Sequence, residues 1–451
     1  MNRRNVATDR PSVAAMALVT FALGLFATPT GPLVARAEPL SLAAAVRRAA
    51  AEAAPVRIAQ LELEEKNAKV NAARSSLLPN LSAAASQSER TFNINSFGIP
   101  FPGEAIGPLI GPVPTFDARV RAVQTIADLS VWRHVRSVRS AAEASRADAG
   151  TSAQDAAQSA ALRYAAAERA SATLDARRSD LALAVELDSL ARIQLRAGTA
   201  ANIDLLRAGT QLAAARGELI VATNALKRAH IDLARALGAD IGMRFELTDS
   251  LGAPVTSEAP ESREGAVTLA LARRSELRGE RARLFEARSE KSAIASERIP
   301  RLDAAADYGV NGLHVDDAIA TRQVAVQLTW PFFDGARREA RLQEQSASIG
   351  QSEVRTRDLT EQIAADVAGA LLDLDSGREQ MGVAADRVRL ALQQLGEARI
   401  RFRSGAAGNL EVIDAQSAVI RARDAEISAR AATATASIHL ARATGVAETV
   451  R

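Results

Sequence analysis

The chain has 451 residues, of which 47% are hydrophobic, 24% charged and 3% aromatic, with no cysteine and a formal net charge of +3. The charged share is too ordinary for a disordered polymer, and the lack of cysteine excludes a disulfide scaffold, thiolate metal sites, a cysteine nucleophile and a lipidated N-terminus. Alanine supplies about a fifth of the residues; as the best helix former but a poor core filler, it predicts long slender helices packed along narrow seams.

At the N-terminus, Arg3, Arg4 and Arg10 precede an apolar run from Val13 to Phe26, and Ala35-Arg36-Ala37 offers small residues on both sides of a cut. This layout predicts a secretory signal peptide over residues 1–37, with a retained anchor as the alternative. The apolar run is shorter than the ~20 residues of a membrane-spanning helix, and no other stretch reaches that length. Four arginines and one aspartate lie in this segment, so the remainder balances at 52 basic and 52 acidic groups. The net basicity therefore belongs to export and gives no support to nucleic-acid binding.

Self-comparison shows one unit written twice. Residues 191–238 begin ARIQLRAGTAANIDLLRAG and end IDLARALG, while residues 398–445 begin ARIRFRSGAAGNLEVIDAQ and end IHLARATG; about 20 of the 48 positions are identical. Upstream, LLPNLSAAAS around Pro79 echoes RIPRLDAAAD around Pro300. A tandem duplication follows, with a first repeat over 38–238, a linker over 239–263 where Pro254 and Pro260 break any helix, and a second repeat over 264–451. Proline-free stretches rich in Ala, Arg, Glu, Gln and Leu predict helices at about 40–76, 135–197, 202–238, 265–298, 336–404 and 409–444, with Pro55 kinking or breaking the first. The two longest reach roughly 95–100 Å at 1.5 Å per residue, which demands coiled-coil-like partners. Gly198 and Gly405 stand where a helix ends before a tight reversal.

Four segments between the helices change period. In 321–331, Val324, Val326, Leu328 and Trp330 alternate with Gln323, Ala325, Gln327 and Thr329. Residues 302–312 alternate similarly, and 80–92 and 117–129 do so less cleanly. Each has about the length of a transmembrane β-strand. Nine of the 13 aromatics after residue 37 fall in or beside these windows, Tyr308, Trp330, Phe332 and Phe333 among them. Membrane-interface girdles explain that clustering, as does the aromatic core of a small soluble hairpin domain. Four strands cannot close a membrane barrel and open edges are not tolerated in lipid, so several copies must share one barrel if the strands are in a membrane.

The signal segment, the duplicated helix-strand-strand-helix-helix unit, the prolines that introduce the strands and the repeated F/L-R-x-G turn followed by N-[IL]-[DE] resemble the TolC-like outer-membrane efflux family over nearly the whole mature chain. The resemblance implies a mainly α fold with a β-barrel part: a homotrimer whose four strands per protomer form one 12-stranded barrel in outer-membrane lipid, continuing into an α-helical barrel across the periplasm. It implies a passive exit duct of a tripartite efflux or type I secretion system, serving an inner-membrane transporter such as a resistance-nodulation-division pump through a periplasmic adaptor (membrane fusion) protein. Residues 97–114 become an extracellular loop, with 312–320 its shorter counterpart.

The resemblance also marks the helix turns as the closed periplasmic end. Counting from Gly405, the acidic constriction falls on Glu411 and Asp414, three apart and so on one helical face; service as first-turn acids beside the helix dipole is the other reading. Asp204 matches an aspartate that helps latch the closed state. Its usual partners, a tyrosine and an arginine, are Phe402 and Ala407 here, which leaves Arg196, Arg403 or Arg207 as substitutes. The tips Arg196–Gly198 and Arg403–Gly405 are the expected adaptor contact.

No enzyme signature is present. His134, His230, His314 and His439 are isolated, and neither a phosphate-binding glycine loop nor a nucleophile elbow occurs. No cofactor is expected. A soluble periplasmic coiled-coil adaptor or scaffold is the rival, disfavoured because the repeat puts a hairpin in both halves.

Overall fold

In the computed structural model of the chain, residues 38–93, 96, 109–199, 201–404, 406 and 408–451 are described. Residues 1–37, where a signal segment is expected, loop positions 97–108, Gly405 and Ala407 lie outside them. The first repeat runs β1 (Glu38–Leu40), α1 (Leu42–Glu52), α2 (Ala54–Ser75), β2 (Asn80–Asn93), β3 (Leu109–Ala127), α3 (Leu129–Arg196) and α4 (Asn202–Ala236), followed by β4 (Phe245–Leu247). The second runs α5 (Arg263–Arg273), α6 (Ser275–Ser296), β5 (Arg301–Gly312), β6 (Ile319–Thr329), α7 (Arg337–Arg403) and α8 (Asn409–Ala443). The duplication is visible in the lengths: α3 and α7 have 68 and 67 residues, and α4 and α8 have 35 each.

Several expected boundaries shift. The first helix ends at Glu52, and Pro55 stands in the N-terminal turn of a new one. The helix expected over 265–298 also divides, at Arg274, where no proline stands; Arg274 turns extended (φ −63°, ψ 121°) while its guanidinium bonds Asp366 and Glu276 on two different helices. At the break, Arg274 joins α6 to α7 through its ion pairs. β3 begins at Leu109 instead of 117, so the final six positions of the expected 97–114 loop are strand. Among the described residues, positions 109–115 of β3 pair only with β2. Proline is tolerated there because one edge of the strand needs no N–H.

At 1.5 Å per residue α3 and α7 are each about 100 Å long. Along α3, α2 and α6 pack on the strand-proximal part and α4 and α8 on the remainder. The seams are built from alanine with a few larger residues. Near the far end, Leu187, Leu395, Val412 and Val419 interleave with Ala391, Ala398, Ala415 and Ala422. At Gly377 a Cβ would come within 2.9 Å of Thr433 Oγ1, so α7 and α8 touch nearly backbone to backbone.

Midway along the helices, β1 pairs in parallel with β4, and a core of Leu40, Val46, Val56, Leu233, Leu237 and Phe245 surrounds Tyr164. The Tyr164 hydroxyl lies 2.9 Å from the Leu40 carbonyl oxygen and 3.0 Å from Asp249 Oδ2, and that carboxylate also accepts the first amide of α1, Leu42 N–H, at 2.7 Å. A second belt ties four helices: Arg442 reaches Asp155 (2.7 Å) and Glu276 (2.5 Å), and Arg274 reaches Glu276 (3.1 Å) and Asp366 (2.8 Å). Burial works to raise the Glu276 pKa, but the hydrogen bonds from Arg274 and Arg442 outweigh it and hold the group at about 2.

Glu168 has no such rescue. Burial, with the charge of Asp249 adding to it, pushes its pKa up to about 7. Below the usual value of 4.5 the carboxyl is protonated folded or unfolded, so it has no effect on stability. Between 4.5 and about 7 the unfolded chain gives up a proton that the folded protein keeps, so stability falls across that window and the loss is complete above it. Glu168→Gln is therefore expected to raise the thermal unfolding midpoint at pH 8 by a few degrees and to leave it unchanged at pH 4.5, as scanning calorimetry at the two pH values can check.

Candidate functional site: the strand sheet and the helix tips

The four long strands form one antiparallel sheet in the order β2-β3-β5-β6. Register assigns each side chain to a face, because residues paired across an antiparallel ladder point the same way. Leu81 pairs with Ala122, Ala122 with Ala306 and Ala306 with Val324; Ala83, Val120, Tyr308 and Arg322 make the next such row. With Val326 and Leu328 this face is almost wholly apolar, and Leu81, Val120, Val324, Val326 and Leu328 are all exposed. The opposite face carries Ser82, Arg121, Asp307 and Gln323 in one row and Ser86, Asp117 and Asn311 in another. Its charges are internally matched: Arg119 pairs with Asp117 and, at 3.1 Å, with Asp307, while Arg301 meets Asp303 at 3.2 Å. Gly309 sits on this face opposite Arg119, where a Cβ would stand 2.4 Å from the Arg119 Cβ, so no other residue fits.

The aromatics lie at two levels. Trp330, Phe332 and Phe333 are exposed at the helix end of the hairpin, with Trp330 Nε1–H donating to the Arg298 carbonyl and its ring edge-on to Phe332 at 6.4 Å. Tyr308 is exposed on the apolar face toward the turn. Eight residues of strand separate the levels, about 27 Å, or roughly 20 Å at a barrel tilt of 40°, comparable to the ~25 Å apolar band of outer-membrane barrels. Among the described residues β2 and β6 each keep one edge without a partner strand, and no helix is long and apolar enough to cross a membrane.

At the other end, the two helix turns repeat one capping geometry. Thr199 N–H donates to the Gln194 carbonyl (3.0 Å) and Ala406 N–H to the Arg401 carbonyl (2.9 Å), each closing a helix from six residues' span. Gly198 takes φ +71° with nothing within 4 Å of its missing Cβ, so glycine is there for backbone conformation alone. Asp204 stands in the first turn of α4, 3.7 Å from Arg207. Glu411 stands in the first turn of α8 and meets Arg401 across the turn at 3.3 Å. Asp414 is exposed one turn further on, with no ion pair among the described residues. The two tips are joined by Asn409, whose side-chain N–H donates to the Asp204 carbonyl at 3.1 Å.

Of the three arginines expected near Asp204, only Arg207 is beside it. Arg403 turns to Glu186 on α3 (3.6 Å), which Arg399 also reaches (3.1 Å), and Arg196 is exposed without an ion pair among the described residues. Phe402 is 8% exposed and packs into the α3–α7–α8 seam, which accounts for a ring without a hydroxyl at that position.

Two groupings escaped the sequence. His314, Asp316 and Asp317 bring their ligand atoms within 4.8 Å of one another in the exposed β5–β6 turn, where Asp317 accepts the His314 amide at 2.6 Å and so serves the turn itself. Deeper in, Arg177 pairs with Asp180 at 2.8 Å and with Asp424, 247 positions away, at 2.6 Å. Burial pushes the Asp180 carboxyl above its usual range against the pull of Arg177. No local pattern announces a pairing between residues so far apart.

The family of outer membrane efflux proteins matches this chain over residues 45–239 and 266–446. Protein CyaE of Bordetella pertussis is 29% identical over 131 residues, which is 29% of this chain and only 28% of that relative's length. Among solved structures, a membrane protein from Pseudomonas aeruginosa is 19% identical over 91% of each chain with a TM-score of 0.78. The CmeC outer membrane channel of Campylobacter jejuni is 16% identical over 90% of this chain and 86% of that one, with a TM-score of 0.76. These likenesses show a shared fold, and the family match spans both halves of the duplication: the chain belongs to the outer membrane efflux protein family.

Proposed function

We propose that three copies of this chain close one 12-stranded barrel in the outer membrane and continue it as a helical barrel across the periplasm, forming the passive exit duct of a tripartite efflux system. The observation that carries this is the four-stranded sheet with an apolar face, a polar face and two unpaired edges, mounted on helices about 100 Å long. The apolar face meets lipid and the polar face lines the lumen. At the far end the tips Arg196–Gly198 and Arg403–Gly405 receive a periplasmic adaptor that links the duct to an inner-membrane transporter. Glu411 and Asp414, with Asp204 behind them, ring the constriction; three copies bring carboxylates around one axis, which concentrates cations and repels anions. The Arg401 beside Glu411 offsets part of that charge, so Asp414 dominates the ring.

Planar-bilayer recording of the purified protein tests the duct. Discrete channels with cation preference are expected, and Glu411→Gln with Asp414→Asn lowers the cation-to-anion permeability ratio by at least about twofold. Absence of channels contradicts the duct, whereas unchanged selectivity contradicts only the ring. The assignment of faces has its own check, by urea unfolding from lipid vesicles. Val324→Arg costs about 2–4 kcal/mol if that face meets lipid, and Gln323→Arg, one residue away, costs less than about 1 kcal/mol; equal costs refute the assignment.

A further inference from the structure

Between α3, α4 and α8 lies a cavity of about 290 Å³, lined by the polar side chains of Arg177, Asp180, Gln211, Glu218, Gln416 and Asp424. Counting from the helix ends at 1.5 Å per residue, it begins about 10 Å and ends about 30 Å from the tips, well away from the Glu411–Asp414 turn. Its walls are built but incompletely satisfied. Gln416 is 1% exposed, yet neither its amide oxygen nor its amide nitrogen has a hydrogen-bond partner. Asp180 is 4% exposed; its Oδ2 accepts from Arg177, whereas Oδ1 has no hydrogen bond and only the more distant Arg423 guanidinium at 3.5 Å. Buried polar groups left in this condition cost about 1–3 kcal/mol each, so a chain that keeps two of them side by side gains from an occupant that satisfies them.

The chemistry of the walls selects that occupant. The forks of Arg177 are spent on Asp180 and Asp424. Even with Arg423 reaching Asp180, the carboxylates of Asp180, Glu218 and Asp424 leave one negative charge in excess. The free groups are mostly acceptors: Gln416 Oε1, Asp180 Oδ1 and the Glu218 carboxylate. A pocket with one surplus negative charge and several free acceptors fits a small monocation bearing more than one N–H donor. Ala214, Ala215 and Ile420 supply an apolar wall for a short alkyl part. We infer that this cavity is a binding site for a small organic cation of the guanidinium or alkylammonium class, held by Gln416 and Asp180 and charge-balanced by Glu218. Bound there, the cation bridges α8 to the α3–α4 pair.

Isothermal titration of the detergent-purified full chain with methylguanidinium and ethylammonium chloride, against sodium chloride at equal ionic strength, tests it. Saturable binding in the millimolar range is expected for the organic cations and not for sodium. Gln416→Leu is expected to weaken binding at least tenfold without lowering the unfolding midpoint, since an orphaned amide gives way to an apolar group of similar size. Glu218→Gln, which leaves every α3–α8 ion pair intact, is expected to weaken it as well and serves if the first variant does not fold. A soaked crystal then shows the cation in contact with Gln416. Absence of saturable binding, binding by both variants as tight as by the unaltered chain, or density for water alone or for a neighbouring copy's side chain in the cavity overturns the proposal.

Discussion

A backbone amide or carbonyl facing hydrocarbon has nothing to bond to, and β2 and β6 each present a row of such groups at the edge of the sheet. That constraint governs the architecture. One face of the sheet is apolar and exposed from Leu81 across to Val324, so the sheet belongs in lipid, where its edges cannot stay open. In the proposed barrel, other copies of the chain cap them. The matched charges on the opposite face, Arg119 with Asp307 and Arg301 with Asp303, are affordable because that face meets water.

The helical part answers a different demand, which is length without bulk. A duct wall one helix thick has no room for a conventional core, and alanine lets α3, α4, α7 and α8 approach closely enough to seal with small side chains. Large residues are spent at a few stations. Tyr164 anchors the middle, where β1, β4 and α1 wrap the long helices, and Phe402 fills the seam near the tips. Ion pairs supply the remaining connections, and the Arg274–Glu276–Arg442 group, which reaches Asp155 of the first repeat through Arg442, ties segments from both repeats at one height. Such pairs add little net stability, but a packing that separated them would leave partly buried charges uncompensated.

Much of this was legible in the sequence because the duplication displays it twice. The matching ARIQLRAG and ARIRFRSG segments end in caps of the same geometry, and the alternation around Val324 gave the apolar face directly. The errors have physical causes. Pro112 and Pro114 read as loop residues, but a strand paired on one edge accepts them. The break at Arg274 has no local signal, since neither proline nor glycine stands there. Gln416 passed unnoticed on an alanine-rich helix, since only the arrival of two other helices buries it. At the tip, the substitute partners for Asp204 were narrowed to Arg207 by geometry that spacing does not encode.

In the proposed duct the open edges of one chain are closed by two others. The chain has no cysteine, so pairs introduced on the two edges, scanned along β2 at positions such as Ser86→Cys and along β6 at positions such as Thr321→Cys, report edge pairing without background. Oxidation of the protein in outer-membrane fractions is predicted to give a ladder of crosslinked products that ends at three chains. A ladder ending at two or at four, or crosslinking within a single chain, would contradict a barrel shared by three chains.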